Sequence, residues 1–223
     1  MTRHTLFHAS DLHLGAAGGA DRSHAAEKAW SEFTLAVDDA RPDLVLLSGD
    51  LVVDDPDDAS DQRRAYDLVA ALSVPVIVVP GNHDVGDHRV RTGLPADWHG
   101  KLVTGSRIDA WERLWGPSFQ LTRIGRWHIL ALNSQLFGSG LEREAEQWRW
   151  IEQTALPTIG DDPFVLVTHE SLDARPDADD ADNWMSIPTS ASSRLTDLLR
   201  NHDLVAACSG HTPTSGDHAR GAS

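Results

Sequence analysis

Five short polar motifs carry the residue types that can hold a divalent cation or move a proton. They are Ser10-Asp11-Leu12-His13-Leu14-Gly15, Ser48-Gly49-Asp50, Pro80-Gly81-Asn82-His83-Asp84, Thr168-His169-Glu170 and Ser209-Gly210-His211-Thr212-Pro213. Asp, His and Asn without Cys form the hard-to-borderline donor set that suits Mn²⁺, Fe or Zn²⁺. Two such ions ~3.5–4 Å apart can clamp a phosphoryl oxygen, lower the pKa of a shared water and orient it for in-line attack. A pair of that kind needs a bridging carboxylate. Asp50 is the candidate, because it follows a glycine and has no histidine neighbour to complete a separate site. In Asp11-Leu12-His13 an extended stretch would point both polar groups one way and Leu12 the other. An Asp-x-His, Gly-Asp or Thr-His taken alone is commonly structural; the weight here comes from five motifs in order, each just past an apolar run.

Those runs are of strand length: Thr5 to Ala9, Leu44 to Ser48, Pro75 to Val79, Trp127 to Leu132, Phe164 to Thr168 and Leu204 to Cys208. Several are nearly continuous Val, Ile and Leu, as in strands covered on both faces. Helical patterns lie between them, at Ala25 to Ala40, Gln62 to Leu72, Ile108 to Leu114, Glu142 to Ala155 and Ser190 to Asn201. The alternation predicts an α/β layered fold. In open α/β sheets the carboxyl ends of the strands form the crevice where ligands bind, so motifs distant in sequence converge there. In the fourth helix Leu141, Ala145, Trp148, Ile151 and Ala155 recur at three- and four-residue spacing, which assigns Trp148 to a core.

The 223 residues fit one domain over 1–223, ending in a polar tail. With 19 Lys and Arg against 34 Asp and Glu, the formal charge of −15 disfavours nucleic acid and anionic lipid as partners. Much of the excess sits in Asp54 to Asp61 and Asp173 to Asp182, read as solvated loops because both contain Pro and little that could pack; neither has the Gly and terminal Glu spacing of a Ca²⁺ loop. No run approaches the ~18 apolar residues of a membrane span, and the N-terminus has no signal-type apolar core, so a cytoplasmic protein is expected. Cys208 is the sole cysteine, which excludes an intrachain disulfide and reads as a small buried hydrophobe.

The ordered set Asp11-x-His13, Gly49-Asp50, Gly81-Asn82-His83-Asp84, His169 and Gly210-His211 resembles the calcineurin-like metallophosphoesterases, from Phe7 to Thr212. The resemblance implies a β-sandwich flanked by helices in four layers, α/β/β/α. It also implies two divalent metal ions at the strand ends and hydrolysis of a phosphate ester by a metal-bridging hydroxide. Carried over by position, Asp11 and His13 bind the first metal, Asp50 bridges, and Asn82, His169 and His211 bind the second. His83 resembles the family's non-ligand histidine that protonates the leaving oxygen, with Asp84 as its orienting partner.

Two departures stand out. Many diesterase-like members have Gly-His-x-His in the last block, and here Pro213 replaces the second histidine, with His218 as a distant substitute. The family's further strands would fall after Ser223, which leaves them outside the expected sandwich. The substrate expected from the resemblance is a small phosphodiester of the cyclic-nucleotide kind. A Ser/Thr phosphatase would carry an Arg soon after the bridging Asp, and Gly49 to Asp55 has none. A nuclease shares the Ser-Asp-x-His-Leu-Gly opening but conflicts with the charge. A metal-binding module without catalysis conflicts with the presence of both His83 and Asp84. Within Val85 to Lys101, which also holds His88, Arg89 and Arg91 are the candidates for holding phosphate.

Overall fold

The computed structural model of the chain describes residues 3–14, 19–53, 55–88, 101–172 and 184–212. Strands β1 (Leu6–Ala9), β2 (Leu44–Leu47) and β3 (Val76–Val78) form a parallel sheet in that order. Strands β4 (Gln120–Ile124), β5 (Trp127–Ala131), β6 (Phe164–Val167) and β7 (Leu204–Cys208) form a second sheet, ordered β4-β5-β6-β7. Its first pair is antiparallel and the others are parallel.

The period-two alternation of side chains along each strand sorts the core into three layers. Leu44, Leu46, Ile77 and Val79 of the first sheet meet Ile129, Ala131, Val165 and Val167 of the second in one cluster, so the sheets pack face to face. The intervening residues Val45 and Leu47 turn the other way. They pack with Trp30 and Val37 of α1 (Gly19–Ala40), Ala65 and Val69 of α2 (Ala59–Ala70), and Ile108 and Trp111 of α4 (Gly105–Trp115). On the far side, Leu130, Phe164 and Leu166 pack under Trp148 of α5 (Glu142–Trp150), Ile159 of α6 (Leu156–Ile159), and Leu195 and Leu199 of α7 (Thr189–Leu199). The remaining helix, α3, is the four-residue turn Asn82–Val85. The result is the expected four-layer α/β/β/α arrangement, and it explains the continuous Val and Leu runs, since both faces of each sheet are covered.

Several expectations need correction. The helix read as Glu142 to Ala155 runs on to Ile159 through a widened turn over Ile151–Ala155, where the Leu156 N–H donates to the Ile151 carbonyl five residues back. Pro157 supplies a physical reason: it has no N–H, and its ring would collide with a carbonyl four residues earlier in a regular helix. Trp148 lies in the core as expected, 4.7 Å from the Phe137 ring and 4.1 Å under the Arg194 guanidinium. Strand β4 was not among the expected strands. The sequence Gln-Leu-Thr-Arg-Ile is short and mixed, and it pairs with β5 across the two-residue turn Gly125-Arg126, in which Gly125 takes φ +59°. A glycine leading a two-residue hairpin turn was the available signal.

The first acidic segment is more than a solvated loop. The Asp58 carboxylate caps α2 by accepting the Ser60 and Asp61 N–H groups, Asp61 is buried, and Asp55 and Asp57 are ion-paired to Lys101 and Arg107. The second, Asp173 to Asp182, lies outside the described residues except for its flank at Leu172. Cys208 is half-buried at the end of β7, and burial pushes its thiol pKa up. Among the described residues no helix is long and apolar enough to cross a membrane.

Candidate metal centre

The loops after β1, β2 and β3 run side by side and are tied backbone to backbone. Asp11 N donates to Gly49 O and His13 N to Asp50 O, both at 3.0 Å. This leaves Asp11, His13 and Asp50 at φ +56°, +46° and +53°, and His211 at +67°. The extended geometry expected for Asp11-Leu12-His13 is therefore corrected: left-handed backbone at both polar residues turns them inward. Asp and His tolerate this region better than branched residues, at a cost of about 1 kcal/mol or more each.

Glycines let the loops approach. A Cβ on Gly81 would lie 2.2 Å from Asp50 Oδ1, and one on Gly210 would lie 1.7 Å from Ser10 Oγ and 2.4 Å from Asp11 Oδ2. The second sheet delivers His169 after β6 and His211 after β7. The His211 N–H donates to Asp11 Oδ2 at 3.0 Å, which joins the two sheets' loops directly.

Two donor groups result, Asp11, His13 and Asp50, and Asp50, His169 and His211, with the ligand atoms of each group within 4.8 Å of one another. Asp50 belongs to both. Asn82 adds its Oδ1 3.0 Å from His169 Nε2, and His211 Nδ1 lies 3.0 Å from the same nitrogen.

The fit of these residues to cations can be read from the histidines. Each has one ring nitrogen on a main-chain carbonyl: His13 Nδ1 on Val52 O (2.9 Å), His169 Nδ1 on Ser48 O (2.7 Å) and His211 Nε2 on Trp184 O (2.7 Å). A carbonyl only accepts, so that nitrogen carries the proton and the other offers its lone pair inward. His169 Nε2, His211 Nδ1 and Asn82 Oδ1 then face one another as acceptors beside a carboxylate. Such a cluster repels itself unless a cation or an added proton sits within it.

The protonation tendencies agree. Burial works against a charged His169, but the Asp50 carboxylate beside it, with Asp11 and the Ser48 carbonyl, pushes its pKa up to about 10. Burial also works against ionised Asp50, yet the charges of His169, His83 and His211 hold it well below the usual carboxylate range.

His83 lies at the rim. Its side chain is 34% exposed, with Nε2 3.9 Å from Asp50 Oδ2 and its ring edge-on to His13 at 5.0 Å. Its N–H donates to Asp50 Oδ1. Asp84 does not take the expected place as its orienting partner. Its Oδ1 accepts the Leu51 and Val52 N–H groups (2.9 and 3.1 Å) and its Oδ2 the Gly81 N–H (2.8 Å). The carboxylate fixes the backbone around Asp50 and Asn82 instead. Burial and then the Asp50 charge push Asp84 up to about 7, against the hydrogen bonds from Gly81 and Val52.

His88 is also corrected, from a residue of a site-overhanging segment to a fully buried one bonded to Glu170. Arg89, Arg91, Pro213 and His218 lie outside the described residues. Sequence reasoning missed the carbonyls of Ser48, Val52 and Trp184, because a backbone acceptor has no residue-type signature.

Residues 4–215 match the model of the calcineurin-like phosphoesterases. The chain is 31% identical over 199 residues to a "Probable cyclic nucleotide phosphodiesterase" of Moraxella catarrhalis, covering 86% of this chain and 61% of that relative. The chain belongs to the calcineurin-like phosphoesterase family. It thus spans less than two thirds of that relative's length. Among solved structures, a purple acid phosphatase from yellow lupin (Lupinus luteus) superposes with TM-score 0.60 at 17% identity, covering 93% of this chain and 37% of the other. A dimetal phosphatase from Danio rerio gives 0.62 at 14% identity, covering 93% and 81%. At those identities the two structures speak for the fold.

Proposed function

We propose that this chain hydrolyses a small phosphodiester, of the cyclic-nucleotide kind or similar, with two divalent cations. The carrying observation is that two donor groups share the single carboxylate of Asp50. Asp11 and His13 would hold one cation, Asn82, His169 and His211 the other, and Asp50 both. When bound, the pair supplies a Lewis acid for a phosphoryl oxygen and acidifies a shared water.

The chain's own residues do the rest. The carbonyls of Val52, Ser48 and Trp184 keep the three histidine lone pairs aimed inward. Asp84 braces the loops of Asp50 and Asn82 through three N–H bonds. His83, partly exposed beside Asp50, is placed to give a proton to the departing oxygen of a substrate lying over the centre. The identity of the Moraxella catarrhalis relative favours a diester over a monoester. The competing reading, a cation-binding module without turnover, gives His83 nothing to do.

The test is Mn²⁺-dependent hydrolysis of bis(p-nitrophenyl) phosphate against p-nitrophenyl phosphate, in the parent and in His83→Ala. The diester should be the better substrate. The variant should lose about 10²–10⁴-fold in kcat while keeping the parent's metal content. Faster monoester turnover would overturn the diester assignment, and a fully active variant would remove His83 from the chemistry.

A further inference from the structure

Behind the second donor group lies a buried polar network that the proposed chemistry does not use. Glu170, His88 and Gln135 are each 0% exposed. Glu170 Oε1 accepts from Gln135 Nε2 at 3.0 Å, and Glu170 Oε2 lies 3.1 Å from His88 Nε2. Gln135 Oε1 in turn accepts the His88 backbone N–H at 3.3 Å. Three loops meet here: the one after β3 that carries Asn82 and His83, the one after β5, and the one after β6 that carries His169.

Each loop is held at its other end. Asp87 exchanges backbone hydrogen bonds with Lys101 and Val103 at 2.7 Å each. The Asn133 side chain accepts the Gln135 N–H, and the Asn133 main chain is paired to the Gln147 side chain of α5. The Glu170 N–H donates to Ser134 Oγ, and its carbonyl accepts from Thr168 Oγ1.

A carboxylate with no exposure is strongly disfavoured unless charge-assisted bonds offset its lost hydration. Core packing alone would be served as well by apolar side chains, so the network points to a need for fixed geometry. Among the described residues the buried His88 Nδ1 has no hydrogen-bond partner. Its Nε2 must therefore be the protonated nitrogen facing Glu170, since a bare lone pair costs less to orphan than an N–H.

We propose that Glu170, latched to His88 and Gln135, is a positioning residue for the second cation: it fixes the distance between the Asn82 and His169 donors, 3.0 Å apart. This rests on the two-cation reading above. The latch joins the loops of Asn82 and His169, whereas Asp11 and His13 stand on the loop after β1, so its loss should act unequally on the two cations.

The experiment is Mn²⁺ titration by calorimetry of the metal-stripped parent, Glu170→Ala, Glu170→Gln and His88→Gln, with folding checked by circular dichroism. Loss of the carboxylate in Glu170→Ala should weaken the second cation about 10–100-fold and leave the first near the parent value. Glu170→Gln, which keeps the volume and an acceptor for Gln135, should lose less. It also carries the test if the alanine variant does not fold. His88→Gln keeps an N–H donor toward Glu170 and should retain most of the affinity. Parental affinity at both cations in folded Glu170 variants would overturn the latch, as would equal weakening of both. A parent that takes up no Mn²⁺ would overturn the two-cation reading itself, and the latch with it.

Discussion

Asp11, His13, Asp50 and His211 sit on left-handed backbone, and the strain is held by hydrogen bonds from neighbouring loops to their main chains and carboxylates. The centre therefore depends on how closely three loops approach, which makes glycines as decisive as ligands. Gly81 has an ordinary extended φ, so its requirement is steric: a Cβ would press on Asp50 Oδ1 and N at 2.2 and 2.5 Å. Gly81→Ala should cost about 1–3 kcal/mol of stability through overpacking and weaken Mn²⁺ binding at least about tenfold. Gly105→Ala, at the open start of α4 where a Cβ meets nothing within 4 Å, should be neutral or slightly stabilising. Urea denaturation and Mn²⁺ titration of both variants check this; a Gly81→Ala variant that matches the parent in both would contradict the steric account. At this scale sequence named side chains that the structure brings together, Asp11, His13, Asp50, Asn82, His169 and His211. It misassigned Asp84 because a carboxylate one residue from a histidine suggests a pair, whereas the nearest unsatisfied donors were backbone N–H groups of two loops.

The elements around the centre are fixed partly by charge. Asp57 takes a two-point grip on Arg107, with Nε and Nη2 each at 2.7 Å, and shares Lys101 with Asp55. This ties the segment before α2 to the start of α4. The Arg107 and then the Lys101 side chain hold the Asp57 carboxyl well below its usual range. A depressed folded pKa contributes stability that is present above the unfolded value of about 3.9 and is lost as pH falls through the folded one. Asp57 is about half exposed, so solvent screening limits the effect. Asp57→Asn should lower stability at pH 7 by no more than about 1 kcal/mol, and the gap from the parent should close as pH falls from 4 towards 2. Urea midpoints at pH 7, 4 and 2.5 measure it; a gap that widens in acid would contradict the assignment. Sequence saw this acidic run only as charge, because pairing depends on Lys101 and Arg107, more than 40 residues away. It missed β4 for a related reason: that strand is defined by its hairpin partner more than by its own pattern.

In the whole molecule, two sheets meet face to face through Leu44, Leu46, Ile77, Ile129, Val165 and their neighbours. All five motifs sit at one end of that sandwich, where parallel strands finish. The layered fold was legible because doubly covered strands leave continuous apolar runs, and the convergence of motifs followed from strand direction. Backbone acceptors and the buried Glu170 network were not legible, since both arise only when loops from different strands are brought together. The formal charge of −15 suits a surface that concentrates cations rather than polyanions.

The most direct test of the shared-carboxylate centre is the Mn²⁺ content of the purified, reloaded chain and of Asp50→Asn, by elemental analysis after exhaustive dialysis. The account predicts about two ions per parent chain, at most about one in Asp50→Asn, and no diester turnover by the variant. A parent holding one ion or none, or an Asp50→Asn variant that keeps two and turns over the diester, would contradict it.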